Sequence, residues 1–411
     1  MKRRQMISQL VTVAVAALLL LAAYTYIVGD GSIFKGKMDG DTIKAKVIRV
    51  TDVKTANVSG ENEIITVTFK AKALNTELRG KTLDVIQEID RSYAFSPRQV
   101  EQNDTVLIEG YRENGERLYY FGDFVRITPL LWLLAIFCVL IVVFSRMQGV
   151  KTIVSLGLTC LSVFFVLIPA ILNGHNIYFW SILVCVYMTV MTLAIISGYN
   201  KKALCACIGC MSGVLCSGFI VLIMDRFLNM TGMLEEESIY LFQLYPDNPI
   251  NLKAIIFAMI IVGAVGAVVG ALVSTLSAGA VGAVMDVSMS ISSSLYELKQ
   301  KSPHIKPQEL MRSGFTIGRD MMGTMANTLV LAYIGSSLTC VLLMVAYNAN
   351  IEQVINKEVI IADVLQALAG SMGMLLTLPL TSAVCAVIYY KKEGSGNASD
   401  KDEPAAAKSG E

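Results

Sequence analysis

The sequence has few charged residues and few histidines. Only 16% of its 411 residues are charged, whereas 54% are hydrophobic, and the mean hydropathy is +0.58. This composition is too apolar for an ordinary water-soluble domain and indicates a membrane protein. Two histidines in the whole chain argue against metal sites and general bases built from histidine. We therefore expect a membrane protein that is not an enzyme and that binds no metal or other cofactor.

The sequence also lacks an excess of either charge. Its 34 basic and 33 acidic residues give a net charge of +1, so we expect no nucleic-acid partner. A phosphate-binding loop of the G-x-x-x-x-G-K-[ST] kind is absent from the sequence. Active transport would therefore need a gradient or a partner subunit.

Apolar runs long enough to cross a bilayer, about 20 residues each, occur eight times. They lie near residues 6–28, 128–144, 152–172, 178–197, 203–224, 254–275, 325–347 and 364–390. Lysine and arginine in the connections mark cytoplasmic flanks, and eight crossings place every basic flank on one side. The pattern predicts a multi-pass membrane protein with both termini in the cytoplasm.

The first run, residues 1–28, has two interpretations. Its basic start and apolar core resemble a cleaved signal peptide. Its full spanning length, with Tyr24 and Tyr26 where an outer aromatic belt would lie, favours an uncleaved membrane anchor.

Residues 29–127 differ from the rest in composition and contain no cysteine. Alternating β-rich runs near 44–50, 63–69, 82–86 and 105–109 predict a small extracytoplasmic all-β domain, an OB-like barrel. An aromatic group at 119–124 packs the barrel end or rests at the membrane interface. The partner expected for this domain is an envelope protein. Residues 128–390 form the seven-span membrane domain, and residues 391–411 read as a disordered cytoplasmic tail.

All nine cysteines lie in predicted spans, which argues against an extracytoplasmic disulfide framework. Cys205, Cys207 and Cys210 have the density of a soft-metal site. On a helix, however, Cys205 and Cys207 point about 200° apart, and only Cys207 and Cys210 share a face. Three ligands cannot converge, so we interpret these cysteines as packing residues.

Small residues and hydroxyls are concentrated between residues 263 and 333. Glycines at spacings of three and four residues let helix backbones approach closely, and we assign them to helix packing: Gly263, Gly266, Gly270, Gly279 and Gly282.

Asp286 lies in an otherwise apolar segment, where a carboxylate costs about 2.5 to 3.5 kcal/mol on insertion scales. On a helix it forms one polar stripe with Ser290, Ser293, Ser294 and Glu297. The stripe could line a water-filled cavity or belong to an amphipathic helix at the interface. A ninth full span would move the basic cluster at 299–319 outside, so the segment 279–298 is expected to be re-entrant or interfacial.

A second polar series precedes the seventh run. Asp320, Thr324 and Asn327 recur at four and three residues, with Arg319 beside Asp320. Arg319 could pair with Asp286, whereas a charged helix start that anchors the span also explains Arg319 and Asp320. Asn327, deeper in the apolar run, is harder to explain by anchoring.

At these two places the chain resembles the YibE/F-like family of multi-pass membrane proteins. The segments that carry the resemblance are GAVGAVMDVSMSISSSL at 279–295 and IGRDMMGTMANTLVLAY at 317–333. The resemblance covers residues 130–390 and implies a bacterial multi-pass membrane protein. It supplies no substrate and no catalytic residues.

Our leading hypothesis is a permease-like protein that moves a cation or small polar solute between the sixth and seventh spans. The competing hypothesis is a non-transporting envelope scaffold, whose barrel binds an envelope protein while glycine-rich helices dock a second membrane subunit. An intramembrane hydrolase using Asp286 and Asp320 is disfavoured because no G-x-G-D pattern surrounds them.

Overall fold

The computed structural model describes residues 2–28, 41–58, 62–75, 78–90, 98–113, 116–232, 251–265, 280–346 and 350–390. The chain forms two compact units. One consists of Met1–Ser32 with Ser145–Glu411, and the other is Ile33–Phe144. The first unit is helical, and the second contains a β-barrel followed by one helix.

The barrel has five strands that close in the order β1-β2-β3-β5-β4. Their bounds are β1 Asp41–Val58, β2 Asn62–Ala73, β3 Thr82–Asp90, β4 Thr105–Glu113 and β5 Glu116–Phe124. The long β1 pairs antiparallel with both β2 and β4, and β3 and β5 pair in parallel. The prediction of a small five-stranded barrel is confirmed, and each of the four predicted β-rich runs lies within one of β1 to β4.

The barrel core is built by alternation, because successive side chains of a strand point to opposite faces. Phe69, Val85 and Ile108 are fully buried. The aromatic group of the fifth strand, represented by Phe121 and Phe124, packs against this core. Of the two interpretations of that group, the structure therefore supports packing of the barrel.

The helix that follows the barrel, α2 (Ile127–Ser145), has no buried residue and no glycine. Its surface consists largely of big apolar side chains, including Trp132 and Phe144. A helix that is apolar all round is suited to contact with lipid.

The helical unit contains the remaining helices. Their bounds are α1 Lys2–Val28, α3 Met147–Leu172, α4 Ile177–Ser197, α5 Lys201–Leu228, α6 Leu252–Val265, α7 Ala280–Lys301, α8 Pro307–Ala346, α9 Ile351–Ile355 and α10 Glu358–Tyr390.

Within the described residues, six helices are long and apolar enough to cross a membrane: α1, α2, α3, α4, α5 and α10. They coincide with six of the eight predicted runs. The run at 254–275 begins in α6 and continues outside the described residues, and the run at 325–347 lies in α8 up to residue 346. The chain is therefore a membrane protein by these spans, while the count of eight stays a prediction.

The first helix packs as a member of the helical unit. Ala16 is fully buried, and its carbonyl accepts a hydrogen bond of 3.0 Å from the Tyr187 hydroxyl. At the far end of α1, the Asn173 amide donates to the Ile27 carbonyl at 2.7 Å. These contacts join α1 to the helical unit, and its role as an uncleaved anchor stays a prediction.

The segment predicted to be re-entrant or interfacial forms the helix α7, which packs against α5, α6, α8 and α10. Val284, Val287, Ile291 and Leu295 on one side of α7 are fully buried. The spacing of three and four residues between them is that of one helix face. Through this buried face, α7 packs against the other helices of the unit.

A close helix contact joins α5 and α10 through small residues at four-residue intervals. Facing pairs are Gly209 with Thr381, Gly213 with Thr377, and Ser217 with Gly373, and we call these six residues the small-residue seam. A Cβ atom added to Gly213 would lie 1.7 Å from Thr377 Oγ1 and 3.0 Å from the Gly373 carbonyl oxygen. Glycine is therefore required for the two backbones to approach this closely.

The glycines that the sequence assigned to helix packing lie elsewhere. Gly263 and Gly282 are in α6 and α7, but their surroundings are not described. Gly266, Gly270 and Gly279 lie outside the described residues.

We expect Gly213→Ala to destabilise the protein by about 1 to 3 kcal/mol, because the new methyl group overpacks the small-residue seam. The measurement is the thermal unfolding midpoint of the purified protein in detergent. The matched control is Gly157→Ala, since a Cβ at this α3 position meets nothing within 4 Å and alanine favours helix. Equal midpoints for the two variants would contradict the close approach of α5 and α10.

Candidate functional site

Buried hydroxyl groups are concentrated where α10 meets its neighbours. Ser217 on α5, Ser292 on α7 and Thr377, Thr381 and Ser382 on α10 are all fully buried. We call these five residues the hydroxyl tract. Such groups have lost their water and are normally stable in this environment only when they are hydrogen-bonded.

Two members of the tract bond to the backbone of their own helix. Thr377 Oγ1 donates to the Gly373 carbonyl at 2.7 Å, and Ser217 Oγ donates to the Gly213 carbonyl at 3.1 Å. Each bond runs from a residue to the carbonyl four residues earlier, a common arrangement for serine and threonine in helices. These two hydroxyls are therefore satisfied.

Two other members, Thr381 and Ser382, have no hydrogen-bond partner in the described structure, and the same holds for the buried hydroxyl of Ser371. Leaving a buried polar group unpaired costs about 1 to 3 kcal/mol. Native proteins rarely retain such groups, and each one calls for an explanation such as a water or an ion.

The unpaired hydroxyls of Thr381 and Ser382 face two different helices. A Cβ added to Gly209 of α5 would lie 2.0 Å from Thr381 Oγ1, and one added to Gly314 of α8 would lie 2.4 Å from Ser382 Oγ. Each hydroxyl therefore fills a notch left by a glycine. The tract is closed in this conformation. Separation of α10 from α5 would expose Thr381, and separation of α10 from α8 would expose Ser382.

A proline adds a further polar group to this part of α10. Pro379 lies inside the helix and has no backbone N–H, so the Leu375 carbonyl cannot receive the usual helical hydrogen bond. Inside a membrane such a carbonyl must find another partner or line a polar cavity. The Leu375 carbonyl is two residues before Thr377 in the sequence of α10, next to the hydroxyl tract.

One end of the tract is covered by a tyrosine. Ser292 Oγ lies 2.8 Å from the Lys202 carbonyl and 2.9 Å from the Tyr389 hydroxyl. The Tyr389 hydroxyl also donates to the Ser292 carbonyl at 3.1 Å. The ring of Tyr296 packs edge-on against Tyr389 at 5.5 Å, and Lys202 Nζ lies 4.8 Å from the Tyr296 ring centre. These contacts hold α5, α7 and α10 together at this end.

The stripe that the sequence singled out on α7 lies on another face. Asp286 and Glu297 are exposed, and Ser290, Ser293 and Ser294 are half-buried. The α7 residues that meet α8 are Ile291 and Leu295, which lie about 140° and 180° around the helix from Asp286. The stripe therefore points away from the contact between α7 and α8.

The second polar series is also exposed. Arg319, Asp320 and Asn327 of α8 have exposed side chains, and the side chain of Thr324 lies outside the described residues. The face of α8 that meets α7 and α10 carries Gly314 and Gly318 instead. Among the side chains that the structure describes, no ion pair joins Arg319 to Asp286. A role for either series in a transport path stays a prediction.

The cysteines of α5 lie on different faces. Cys205 and Cys210 are fully buried, and Cys207 is half-buried. Cys210 Sγ lies 3.8 Å from Thr189 Oγ1 of α4, whereas Cys207 packs near Leu193 of the same helix. Cys207 and Cys210 therefore both face α4, as their shared helix face predicts, whereas Cys205 lies on another face of α5.

Sequence reasoning missed the hydroxyl tract. The signal was present, because Gly373, Thr377 and Thr381 recur at four residues, as do Gly209, Gly213 and Ser217. Each series alone reads as a packing face. Only the structure shows that the two series face each other and that Thr381 is unpaired.

We expect Ser382→Ala to keep or raise the thermal stability of the protein, because it removes an unpaired buried hydroxyl. The matched comparison is Ser217→Ala, which removes a hydroxyl that is equally buried and also faces a glycine but is hydrogen-bonded. That variant should lose about 0.5 to 1.5 kcal/mol. The measurement is the unfolding midpoint in detergent, and an equal loss in both variants would show that Ser382 has a partner.

Comparison with known proteins identifies the family. The profile of the family described as YibE/F-like protein matches residues 133–278 and 269–391. No curated protein and no solved structure gives a significant match. The family match begins in α2 and runs to the end of α10, which is more than half of the chain, and it confirms the resemblance found in the sequence. The chain belongs to the YibE/F-like family.

Proposed function

We propose that this membrane protein is permease-like and moves a cation or small polar solute along the hydroxyl tract. The observation that carries the proposal is the pair of unpaired, fully buried hydroxyls on Thr381 and Ser382. Hydroxyl and carbonyl oxygens are suitable ligands for hard cations and for solutes that donate hydrogen bonds. A group of this kind is retained at a cost in stability when a passing solute supplies the missing partner.

The proposed path differs from the one inferred from the sequence, which ran between the sixth and seventh spans. Ile291 and Leu295 occupy the contact between α7 and α8, whereas polar atoms are concentrated around α10. Asp286 is proposed to act outside the tract, where an exposed carboxylate would attract cations.

Polar contacts support the proposed orientation in a bacterial plasma membrane. Thr12 of α1 lies 3.3 Å from the Tyr199 hydroxyl before α5, and Ser292 of α7 bonds to Lys202. Helix ends that carry basic residues thus meet at one end of the unit. By the positive-inside rule we infer that this end is cytoplasmic, with both termini inside and the OB-like barrel outside.

The proposal is tested by flux in proteoliposomes that contain the full chain. Na⁺, K⁺ and proton entry are followed with indicator dyes, and small polar solutes such as urea and glycerol by osmotic reswelling. At least one probe should cross faster than in protein-free vesicles, and Ser382→Ala should slow it by about tenfold, the effect of about 1.4 kcal/mol in the barrier. Ser217→Ala, whose hydroxyl is already bonded, should change the rate less.

We expect Asp286→Asn to slow cations more than neutral solutes, because the carboxylate raises the local cation concentration. The measurement is the ratio of the two fluxes at low and high salt. A ratio unchanged by the substitution at both salt concentrations would remove Asp286 from the path.

The alternative function is that of an envelope scaffold without transport. It is favoured by the barrel, which has its own buried core and lies outside the matched residues. In that case no probe would cross, and deletion of residues 30–125 would abolish crosslinking to an envelope partner or to a second membrane subunit. Loss of crosslinking with intact flux would instead mean that the barrel has an accessory role.

A further inference from the structure

The small-residue seam continues into two thiols. Cys205 lies one helical turn before Gly209 on α5, and Cys385 lies one turn after Thr381 on α10. Both cysteines are free and fully buried. Because Gly209 faces Thr381 and Gly213 faces Thr377 across the two antiparallel helices, the same register places Cys205 opposite Cys385. A pair of thiols therefore occupies the next facing position in the register of the seam.

The pair is surrounded by polar groups. Tyr389 lies one turn after Cys385 on α10, and its hydroxyl lies 2.9 Å from Ser292 Oγ. The unpaired hydroxyl of Thr381 lies one turn before Cys385. The thiols thus lie at the tyrosine-covered end of the hydroxyl tract.

Positive charge lies close to the thiols. Lys201 lies one turn before Cys205 on α5, and Lys202 Nζ lies over the ring of Tyr296. In the proposed orientation this end faces the cytoplasm, where thiols are kept reduced.

The ligand set restricts the class of ion. Thiolates select soft ions such as Cu(I), whereas Na⁺, Mg²⁺ and Ca²⁺ prefer oxygen. A structural zinc site requires four ligands, and the described residues contain no group of three or more histidine, cysteine or carboxylate side chains that could hold a metal. Two facing sulfur atoms suit an ion that accepts two ligands, as Cu(I) and Ag(I) do.

We propose that Cys205 and Cys385 bind one soft monovalent metal ion, of the Cu(I) or Ag(I) class. This site is independent of the path proposed above, whose oxygen ligands suit hard cations and neutral solutes. On binding, each thiol releases its proton to solvent and each sulfur donates a lone pair to the metal, so no oxidant or reductant is consumed. The complex carries one net negative charge, which Lys201 and Lys202 offset.

The alternative role is packing, because cysteine also behaves as a small apolar residue at a helix contact. The two roles differ in metal binding. The purified full chain, reduced with a phosphine, is titrated with Cu(I) against a chromogenic chelator. One tight ion per chain is expected, and Cys205→Ser and Cys385→Ser should each weaken binding by more than about 100-fold, beyond the usual effect of an outer-shell substitution.

The matched control is Cys207→Ser. Cys207 lines a cavity of about 380 Å³ together with Tyr199 and Leu204, so it is the more accessible thiol on the same helix. Binding should be unchanged in this variant. Equal weakening in all three variants, or no weakening in Cys205→Ser and Cys385→Ser, would overturn the site.

X-ray absorption of the copper-loaded wild type keeps the proposal testable if a variant fails to fold. The expected spectrum shows two sulfur neighbours, and a shell of nitrogen or oxygen neighbours would overturn the site. Tight Cu(I) binding without flux of any probe would refute the permease and leave the site standing. Flux of another solute without Cu(I) binding would refute the site alone.

Discussion

The helical unit depends on the close approach of α5 and α10 along the small-residue seam. In a bilayer the apolar surfaces of helices gain little by leaving lipid, so association relies on short-range packing and hydrogen bonds. Packing of this kind is lost when backbones move apart by a fraction of an ångström. The glycines of the seam satisfy this requirement, and a Cβ at Gly209 or Gly213 would overlap a threonine hydroxyl of the partner helix.

The same contact determines where the polar atoms of the unit lie. Because each glycine leaves a notch, the side chain opposite it must be small, and several of these side chains are hydroxyls. Thr377 and Ser217 bond to their own helix backbone, as purely structural hydroxyls do. Thr381 and Ser382 make no such bond, and we therefore assign these two hydroxyls to the proposed path and the other two to packing. Weak Cα–H···O contacts with the facing glycines would recover only part of the missing bond.

Much of the fold could be predicted from the sequence because its signals are local. The length of an apolar run predicts a membrane span, and the alternation of side chains within 44–50 or 63–69 predicts a strand. The candidate site could not be predicted in the same way. The four-residue spacing of Gly209, Gly213 and Ser217 defines a face of α5, but which helix meets that face depends on tertiary packing. For the same reason, the sequence suggests Cys207 and Cys210, on the same helix, as the possible partners of Cys205. The structure instead places Cys205 opposite Cys385 of α10.

The central claim is that the hydroxyls of Thr381 and Ser382 are retained because water or a solute reaches them. The most direct test is a high-resolution electron cryomicroscopy map of the protein in lipid nanodiscs, recorded at near-neutral pH with a monovalent salt. The account predicts ordered density within hydrogen-bonding distance of one or both hydroxyls in at least one conformational class. A map in which both hydroxyls contact only the glycine backbones of α5 and α8, in every class, would contradict it.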